Sequence, residues 1–222
     1  MNIALIVFAG TGSRINSSVP KQFIKINGKE LVTYTIEKFQ SNPLIDEIVL
    51  VTHKDYLFIT NKLVTLYKFD KVKDVVVGGS TRQESVRFGL ESLKDKCREN
   101  DRVLIHDGDR PLVSQFIINE SIKALDKYDA VCPIIKHVDG MDKVSNSGRR
   151  VTLCNEDYDV QTPQSFKYGV ILSAHESKKK YSFSDDIGLV ENEVEVEYIP
   201  GDKDNFKVTL DVDLETIIGM IK

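Results

Sequence analysis

The sequence predicts an α/β fold in which helices cover both faces of a mainly parallel sheet. Short runs of apolar, often β-branched residues alternate along the chain with longer segments that repeat apolar residues at helical spacing. The short runs contain few polar residues, which is typical of parallel strands buried on both faces. The expected strands are 3–7, 47–52, 72–77, 102–106 and 130–135, and the expected helices are 31–39, 55–69, 81–93 and 114–127.

Local signals set the ends of several of these helices. Asn42-Pro43 follows the first helix, and proline cannot continue a helix because it lacks the backbone N–H group. Ser80 or Thr81 is a candidate N-cap of the third helix, and Ser114 of the fourth, since a side-chain oxygen there accepts a hydrogen bond from a free N–H of the first turn.

The alternation fails after the fifth strand. A turn at Asn146-Ser147-Gly148 between strand-like runs predicts a β-hairpin arm at 136–155. Because an isolated hairpin is marginally stable in water, the arm is expected to pack on a partner subunit; packing on its own domain is the alternative. The rest of the chain is expected to form a polar loop at 161–165, helices at 167–179 and 186–192, a strand at 194–199, a short segment at 205–209 and a closing helix from about 213.

The composition indicates a single globular domain, residues 1–222. With 29% charged residues and a net charge of −4, the chain has no basic field that would capture nucleic acid. No apolar run approaches the ~20 residues of a membrane span, and no signal-peptide pattern precedes the first strand, so a cytoplasmic protein is expected. The three cysteines lack the spacing of metal ligands and are expected to be free thiols.

Residues 8–22, F-A-G-T-G-S-R-I-N-S-S-V-P-K-Q, follow the first strand and predict a phosphate-binding loop. Gly10 and Gly12 leave room for backbone N–H groups to approach phosphate oxygens, and Arg14 and Lys21 add two positive charges. A nucleoside triphosphate is the expected ligand. The pattern is neither the P-loop nor the dinucleotide fingerprint, and an ordinary glycine-containing turn is the alternative.

The stretch H-D-G-D-R-P, residues 106–111, follows the fourth strand and predicts a Mg²⁺ site. Magnesium prefers one or two carboxylates together with phosphate oxygens and water, and Asp107 is the first candidate ligand. Asp109 is either a second ligand or a charge partner of Arg110. His106 is expected to be packed at the end of the strand. A solvated acidic turn is the alternative for the whole stretch.

Two further cations could face the same edge of the sheet. Arg82 follows Gly78-Gly79 at the start of the third helix, where it and Ser85 could contact a nucleotide near the positive end of the helix dipole. Arg82 could equally pair with Glu84 or another surface carboxylate. Lys207 interrupts an apolar run in N-F-K-V-T and is the second of these cations. The alternative is that Lys207 is an ordinary exposed lysine on an edge strand.

Six segments, in this order and spacing, resemble the cytidylyltransferases that act on methylerythritol 4-phosphate and on ribitol 5-phosphate. The segments are 8–22, 78–85, 106–111, Q-T-P-Q-S-F at 161–166, S-D-D at 184–186 and N-F-K-V-T at 205–209. The resemblance implies a Rossmann-like nucleotidyltransferase fold, dependence on Mg²⁺ and a homodimer in which the 136–155 arm clasps the neighbouring subunit. It also implies that CTP and a sugar-alcohol phosphate react to give a CDP-alcohol and pyrophosphate, by in-line attack of the acceptor phosphate on the α-phosphorus.

The resemblance also implies roles for individual residues. The catalytic residues are Arg14, Lys21 and Lys207, with Asp107 as the Mg²⁺ ligand. The nucleotide-binding residues are Ala9, Gly10, Thr11, Gly12, Ser13, Gly79, Arg82 and Ser85. The residues facing the acceptor are Arg110 and Thr162.

The chain departs from the family pattern mainly in its acceptor half. Cys154 replaces the arginine that would bind the acceptor phosphate, and Gly140 replaces a threonine of the arm. Arg149 or Arg150 could substitute. In the nucleotide half, Ala9 replaces a glycine, and Gly108-Asp109 replaces alanine and a variable residue.

These departures lead to ribitol 5-phosphate, or a related alditol phosphate for a surface polymer such as teichoic acid or capsule, as the expected acceptor. The motif Q-T-P-Q-S-F is closer to the ribitol branch, whereas S-D-D-x-x-L-V-E is nearer the methylerythritol branch. Methylerythritol 4-phosphate, as in isoprenoid synthesis, is the alternative acceptor. A non-catalytic nucleotide-binding paralogue is the alternative outside enzymes.

Overall fold

The computed structural model describes residues 1–10, 17, 19–137, 143–144, 150–151, 158–178, 183 and 185–221. The strands are β1 (Asn2–Phe8), β2 (Lys25–Ile26), β3 (Lys29–Glu30), β4 (Glu47–Thr52), β5 (Val72–Val77), β6 (Arg102–Asp107), β7 (Ala130–Lys136), β8 (Lys143–Val144), β9 (Arg150–Val151), β10 (Tyr158–Val160), β11 (Gln164–Lys167) and β12 (Val196–Pro200). The helices are α1 (Leu31–Gln40), α2 (Leu57–Leu66), α3 (Arg82–Glu91), α4 (Gln115–Ala124), α5 (Tyr168–Ser177), α6 (Ile187–Val190) and α7 (Asp211–Met220).

An eight-stranded mixed sheet lies at the centre of the described residues. Strands β5, β4, β1 and β6 lie side by side in that order and are parallel. Antiparallel β11 then separates β6 from β7, and β12 pairs with β7 in the parallel direction. The mainly parallel α/β fold and its five expected strands are confirmed.

Both faces of this sheet are covered by helices, as the sequence predicts. Along β1 successive side chains point to opposite faces, so Ile3 and Leu5 pack with α3 and α5, whereas Ala4 and Ile6 pack with α1, α2 and α4. All four residues are fully buried. The unbroken apolar sequence of β1 is therefore explained by two hydrophobic cores, one on each face.

Helix boundaries follow the local signals with small shifts. The Thr81 hydroxyl accepts a hydrogen bond from the backbone N–H of Glu84, and Ser114 caps α4 in the same way, which confirms both N-caps. The second helix is shorter than expected: a 3-10 turn precedes α2, and Lys68 adopts a left-handed conformation with φ of 54° just after it. A left-handed residue ends a helix because the next N–H no longer points along the helix axis.

The expected polar loop at 161–165 is confirmed at 161–163 and wrong at Gln164 and Ser165. Gln164 begins β11, a strand in the middle of the sheet, and Ser165 pairs with residues of both β6 and β7. Gln164 tolerates this burial because its side-chain oxygen accepts hydrogen bonds from the backbone N–H groups of Asp186 and Ile187. Polar residues form a buried strand here because their hydrogen-bonding groups have protein partners.

The arm is described only in part. The antiparallel pairing of β8 with β9 confirms a hairpin, whose turn at 145–149 lies outside the described residues. Strand β10, which follows the arm, pairs with β7 and belongs to the main sheet.

Among the described residues no helix combines the length and the hydrophobicity needed to cross a membrane.

Candidate active site

A cavity of about 300 Å³ opens at the carboxyl edge of the parallel strands, where β1, β5 and β6 end. The predicted residues that line it are Ala9, Gly10, Lys21, Gly79, Arg82, Ser85, Asp107 and Lys207, together with Asp109. Open α/β sheets bind ligands at this edge because loops after neighbouring strands converge there. The structure thus brings the described nucleotide-binding and catalytic candidates together in a single cavity, which is called the first cavity below. Thr11, Gly12, Ser13 and Arg14 lie outside the described residues.

Asp107 is the electrostatic centre of this first cavity. Its Oδ2 lies 3.0 Å from Nζ of Lys207 and 3.5 Å from Nε of Arg110, and its Oδ1 lies 3.1 Å from Nε of Arg82. Burial raises the pKa of Asp107, but the charges of Arg82, Lys207 and Arg110 outweigh this effect and hold the pKa well below its usual value. Asp107 is therefore an anion throughout the neutral pH range.

Asp109 is paired with Lys21, and not with Arg110 as one alternative supposed. The carboxylate of Asp109 forms an ion pair with Nζ of Lys21, which also donates a hydrogen bond of 2.7 Å to the backbone oxygen of Val208. The other carboxylate oxygen, Oδ1, is buried without a hydrogen-bond partner among the described residues, and Lys207 lies 3.9 Å from it. A cation that bound to this oxygen would have to displace no hydrogen bond to the described residues.

Close side-chain neighbours explain two glycines in the site loops. A Cβ atom on Gly79 would lie 2.3 Å from the side chain of Glu84, so a side chain there would displace the Glu84 carboxylate from its hydrogen bonds to Ser80. A Cβ atom on Gly108 would lie 2.8 Å from Cβ of Phe8. The family's usual alanine at this position would overlap with Phe8 here, so the loop or Phe8 would have to shift to accept it.

His106 and Thr162 fix the loop that carries Asp107. Nε2 of the fully buried His106 lies 3.1 Å from the backbone oxygen of Arg110, which only accepts, so Nε2 carries the proton. Nδ1 then accepts from the Thr162 hydroxyl at 3.0 Å, and that hydroxyl accepts from the backbone N–H of Asp107 at 3.1 Å. Burial lowers the pKa of His106 to about 4, so the imidazole is neutral near pH 7.

This arrangement confirms that His106 is packed at the end of its strand. It also shows a structural role for Thr162 that the sequence did not indicate, because its hydroxyl bonds both His106 and the backbone of Asp107. Thr162 is not among the described residues that line either cavity at this edge. Its contact with an acceptor stays a prediction of the resemblance.

A second cavity of about 550 Å³ adjoins the first and shares Lys207 with it. Its basic lining residues are Arg110, Lys136, His137, Lys203 and Lys207. Nη1 of Arg110 donates a hydrogen bond of 2.7 Å to the backbone oxygen of Asn205. Arg110 thus faces a basic cavity beside Asp107, as expected for an acceptor site. Gly140, Arg149 and Cys154 lie outside the described residues, as does the side chain of Arg150.

Sequence reasoning missed two residues that organise the first cavity. The side-chain amide of Gln22 donates to the backbone oxygens of Phe8 and Gly10 at 2.8 and 2.7 Å, which joins the two ends of the glycine loop. Asp186 binds Arg82 through a 2.7 Å hydrogen bond. Both residues belong to segments that matched the family, but neither had a local pattern that revealed its distant partner.

A mainly parallel sheet that presents clustered cations and carboxylates at the ends of β1, β5 and β6 is the architecture of a nucleotidyltransferase. Comparison with known proteins defines it further: the profile of the IspD family, 2-C-methyl-D-erythritol 4-phosphate cytidylyltransferase, matches residues 2–220. The chain belongs to this family and is a CTP-dependent cytidylyltransferase.

Individual relatives match over nearly their whole length. The 2-C-methyl-D-erythritol 4-phosphate cytidylyltransferases of Clostridium novyi and Clostridium acetobutylicum are 40% and 41% identical to this chain, each match covering 100% of this chain and 98% of the relative. The solved structure of 4-diphosphocytidyl-2C-methyl-D-erythritol synthase from Anaerococcus prevotii has a TM-score of 0.84 and 28% identity, over 99% of this chain and 95% of that chain.

Proposed function

We propose that the protein transfers CMP from CTP to 2-C-methyl-D-erythritol 4-phosphate and releases pyrophosphate. The observation that carries the proposal is the pair of adjoining cavities that share Lys207 beside Asp107, in a chain about 40% identical to enzymes named for this acceptor. The relatives favour methylerythritol 4-phosphate over the ribitol 5-phosphate that the sequence motif suggested.

CTP would occupy the first cavity. Backbone N–H groups of the glycine loop and the charges of Lys21, Arg82 and Lys207 would bind its three phosphates, and the loop at Gly79 would lie against the nucleoside. Lys21 pairs with Asp109, and Arg82 and Lys207 pair with Asp107, so these three cations are oriented before the substrate arrives. Such preorganised charges stabilise the transition state of phosphoryl transfer without reorganisation.

The acceptor would occupy the second cavity with its phosphate toward Lys207. An oxygen of that phosphate attacks the α-phosphorus of CTP, a new P–O–P bond forms, and the bond to the β-phosphate oxygen breaks to release pyrophosphate. Lys207 lies between the two cavities, where its charge serves the attacking phosphate and the α-phosphate together. Nucleotidyl transfer of this kind needs positioning and charge stabilisation, and no protein nucleophile.

We also propose that Mg²⁺ takes part, held by Asp107 and Asp109 with the phosphates of CTP. Both carboxylates line the first cavity, and Oδ1 of Asp109 has no hydrogen-bond partner among the described residues, which fits the one or two carboxylates that Mg²⁺ prefers. When bound, the ion would neutralise charge on the triphosphate. Removal of the ion with a chelator is expected to abolish turnover.

A homodimer through the 136–155 arm also remains our proposal. It is supported by the pairing of β8 with β9, because a hairpin of such short strands needs another surface for stability. Light scattering on the purified protein tests it: a mass of two chains is expected, and a monomer at micromolar concentration would contradict it.

The acceptor is tested by measuring pyrophosphate release with CTP, Mg²⁺ and three acceptors. Methylerythritol 4-phosphate is expected to give the highest kcat/KM, with ribitol 5-phosphate and glycerol 3-phosphate at least about tenfold lower, a difference of about 1.4 kcal/mol in transition-state binding. A higher kcat/KM for ribitol 5-phosphate would instead favour the reading that Cys154 and the Q-T-P-Q-S-F motif suggest. Mass spectrometry of the CDP-alcohol identifies the product in each case.

A further inference from the structure

A chain of direct contacts links helix α5 to Asp107 through two residues. Nε2 of His175 lies 3.3 Å from Oδ1 of Asp186, whose Oδ2 accepts a 2.7 Å hydrogen bond from Nη1 of Arg82. Nε of Arg82 in turn donates to Oδ1 of Asp107 at 3.1 Å. Asp107 is thus connected to a part of the molecule that does not line the first cavity.

Asp186 is a buried anion with both oxygens in use. Only 1% of its surface is exposed. Burial raises the pKa of Asp186, but the charge of Arg82 and the hydrogen bond from His175 outweigh it and lower the pKa below the usual value. The backbone N–H of Asp186 donates to the side chain of Gln164 at 2.8 Å, so the carboxylate is anchored to β11.

His175 supports this anion from the side away from the cavity. Its ring is fully buried, and Nδ1 has no hydrogen-bond partner among the described residues. The tautomer with the proton on Nε2 is therefore favoured, because it donates to Asp186 and leaves only a lone pair on Nδ1 without a partner.

The double contact fixes the orientation of the Arg82 guanidinium. Nε is used by Asp107 and Nη1 by Asp186, whereas Nη2 has no hydrogen bond to any described residue, and Arg82 lines the first cavity. Without Asp186 the guanidinium could rotate and bind Asp107 with two nitrogens, since a planar fork matches a carboxylate in this way. Such rotation would take Nη2 away from a ligand and compete with Lys207 for Asp107.

We propose that Asp186, supported by His175, is a positioning residue that holds Arg82 so that Nη2 faces the nucleotide. The proposal rests on the proposed use of the first cavity for CTP. Asp186 itself touches no substrate and acts only through Arg82. The effect of Asp186 on CTP binding must therefore disappear when Arg82 is removed.

A double-mutant cycle on CTP binding tests this role without any acceptor. The dissociation constant of CTP with Mg²⁺ is measured by calorimetry for the wild type, Asp186→Asn, Arg82→Ala and the double variant. We expect Asp186→Asn to weaken binding about tenfold, Arg82→Ala to weaken it at least as much, and the double variant to match Arg82→Ala within about twofold. Asp185→Asn is the matched control, since the one hydrogen bond of its side chain to the described residues comes from the backbone N–H of Gly188 at 2.9 Å, and wild-type affinity is expected.

Additive effects in the double variant, or wild-type affinity in Asp186→Asn, would overturn the positioning role. If Asp186 were merely structural, its substitution would lower the melting temperature and would weaken CTP binding equally in the wild-type and Arg82→Ala backgrounds. If Asp186→Asn does not fold, His175→Leu is used in its place, because it removes only the support of Asp186. It is expected to weaken CTP binding about threefold in the wild-type background and to have no effect on CTP binding in the Arg82→Ala background. Tight CTP binding without turnover of any acceptor would overturn the proposed function alone, whereas a wild type that does not bind CTP would overturn both.

Discussion

The two cavities that share Lys207 are built in different ways. In the first cavity the charged groups come from strand ends and helix starts, and most are held by several partners, as Asp107 is by three cations. In the second cavity the exposed Lys203 forms no ion pair with the described residues. The charges of the first cavity are therefore held in place by ion pairs, whereas Lys203 of the second cavity stays available to an incoming anion.

The largest expected effect comes from the residue that both cavities share. Lys207→Ala removes a charge from the reacting phosphates and is expected to lower kcat by about 10²- to 10³-fold, as for other preorganised electrostatic groups. Steady-state kinetics with CTP and methylerythritol 4-phosphate measure it. Lys62→Ala, on the exposed surface of α2, is the control and should keep wild-type rates. A change in the acceptor KM alone would assign Lys207 to the second cavity only.

The second prediction concerns the buried imidazole behind the Asp107 loop. The pKa of His106 is about 4 in the folded protein and about 6.5 when unfolded, so the unfolded state binds more protons between these values. Neutral His106 therefore contributes to the free energy of unfolding in full above pH 6.5. This contribution, up to about 3 kcal/mol, is lost as the pH falls toward 4. Urea unfolding across this range should give a flatter profile for His106→Gln than for the wild type.

The partly exposed His53 supplies the control for this measurement. His53→Gln makes the same substitution at a partly exposed imidazole, so its profile shows what the loss of a histidine outside the core does to the slope. Equal slopes for the wild type and His106→Gln would show that His106 is not neutral in the folded state.

The tightness of the nucleotide half is tested by Gly108→Ala. The added methyl would lie 2.8 Å from Cβ of Phe8, and relieving such overlap is expected to lower the free energy of unfolding by about 1–3 kcal/mol. Gly10→Ala is the matched control for stability, because its added Cβ meets no atom of the described residues within 4 Å. An unchanged unfolding midpoint for Gly108→Ala would mean that the loop and β1 separate easily.

The smallest effect is expected in the second cavity. Lys203→Gln removes an exposed charge and should raise the KM of the acceptor about threefold while leaving the dissociation constant of CTP unchanged, since exposed ion pairs contribute about 1 kcal/mol or less. The effect should shrink as the salt concentration rises. A comparable loss of CTP affinity would erase the distinction between the two cavities.

The sequence predicts those parts of the fold that depend on local pattern. Strands such as β1 and β4 are unbroken apolar runs, and Thr81 and Ser114 cap their helices through neighbours three residues away. Strand β11 was missed because Gln164 and Ser165 are polar, and their burial depends on partners in α6 and neighbouring strands. Hydrogen bonds to distant residues leave no periodic signal.

The same division applies to the site. The glycine loop and the H-D-G-D-R-P stretch were identified because they follow apolar strands, and the structure places their described residues together. The partners within the site were not predictable, since Asp109 meets Lys21 and Asp186 meets Arg82 across long stretches of chain. Ion pairing of this kind is set by the packed fold and has no counterpart in residue spacing.

The pairing of Lys21 with Asp109 has a consequence for selectivity. Among the described lining residues the first cavity holds three cationic side chains, Lys21, Arg82 and Lys207, against the two carboxylates of Asp107 and Asp109. The described residues of this cavity therefore sum to a charge of only about +1, three cations against two carboxylates, and an entering anion must exchange with an internal carboxylate. A single phosphate supplies too few contacts for that exchange, whereas a triphosphate with its counterion replaces both carboxylate partners at once. We expect inorganic phosphate to compete poorly with CTP, which a displacement titration measures directly.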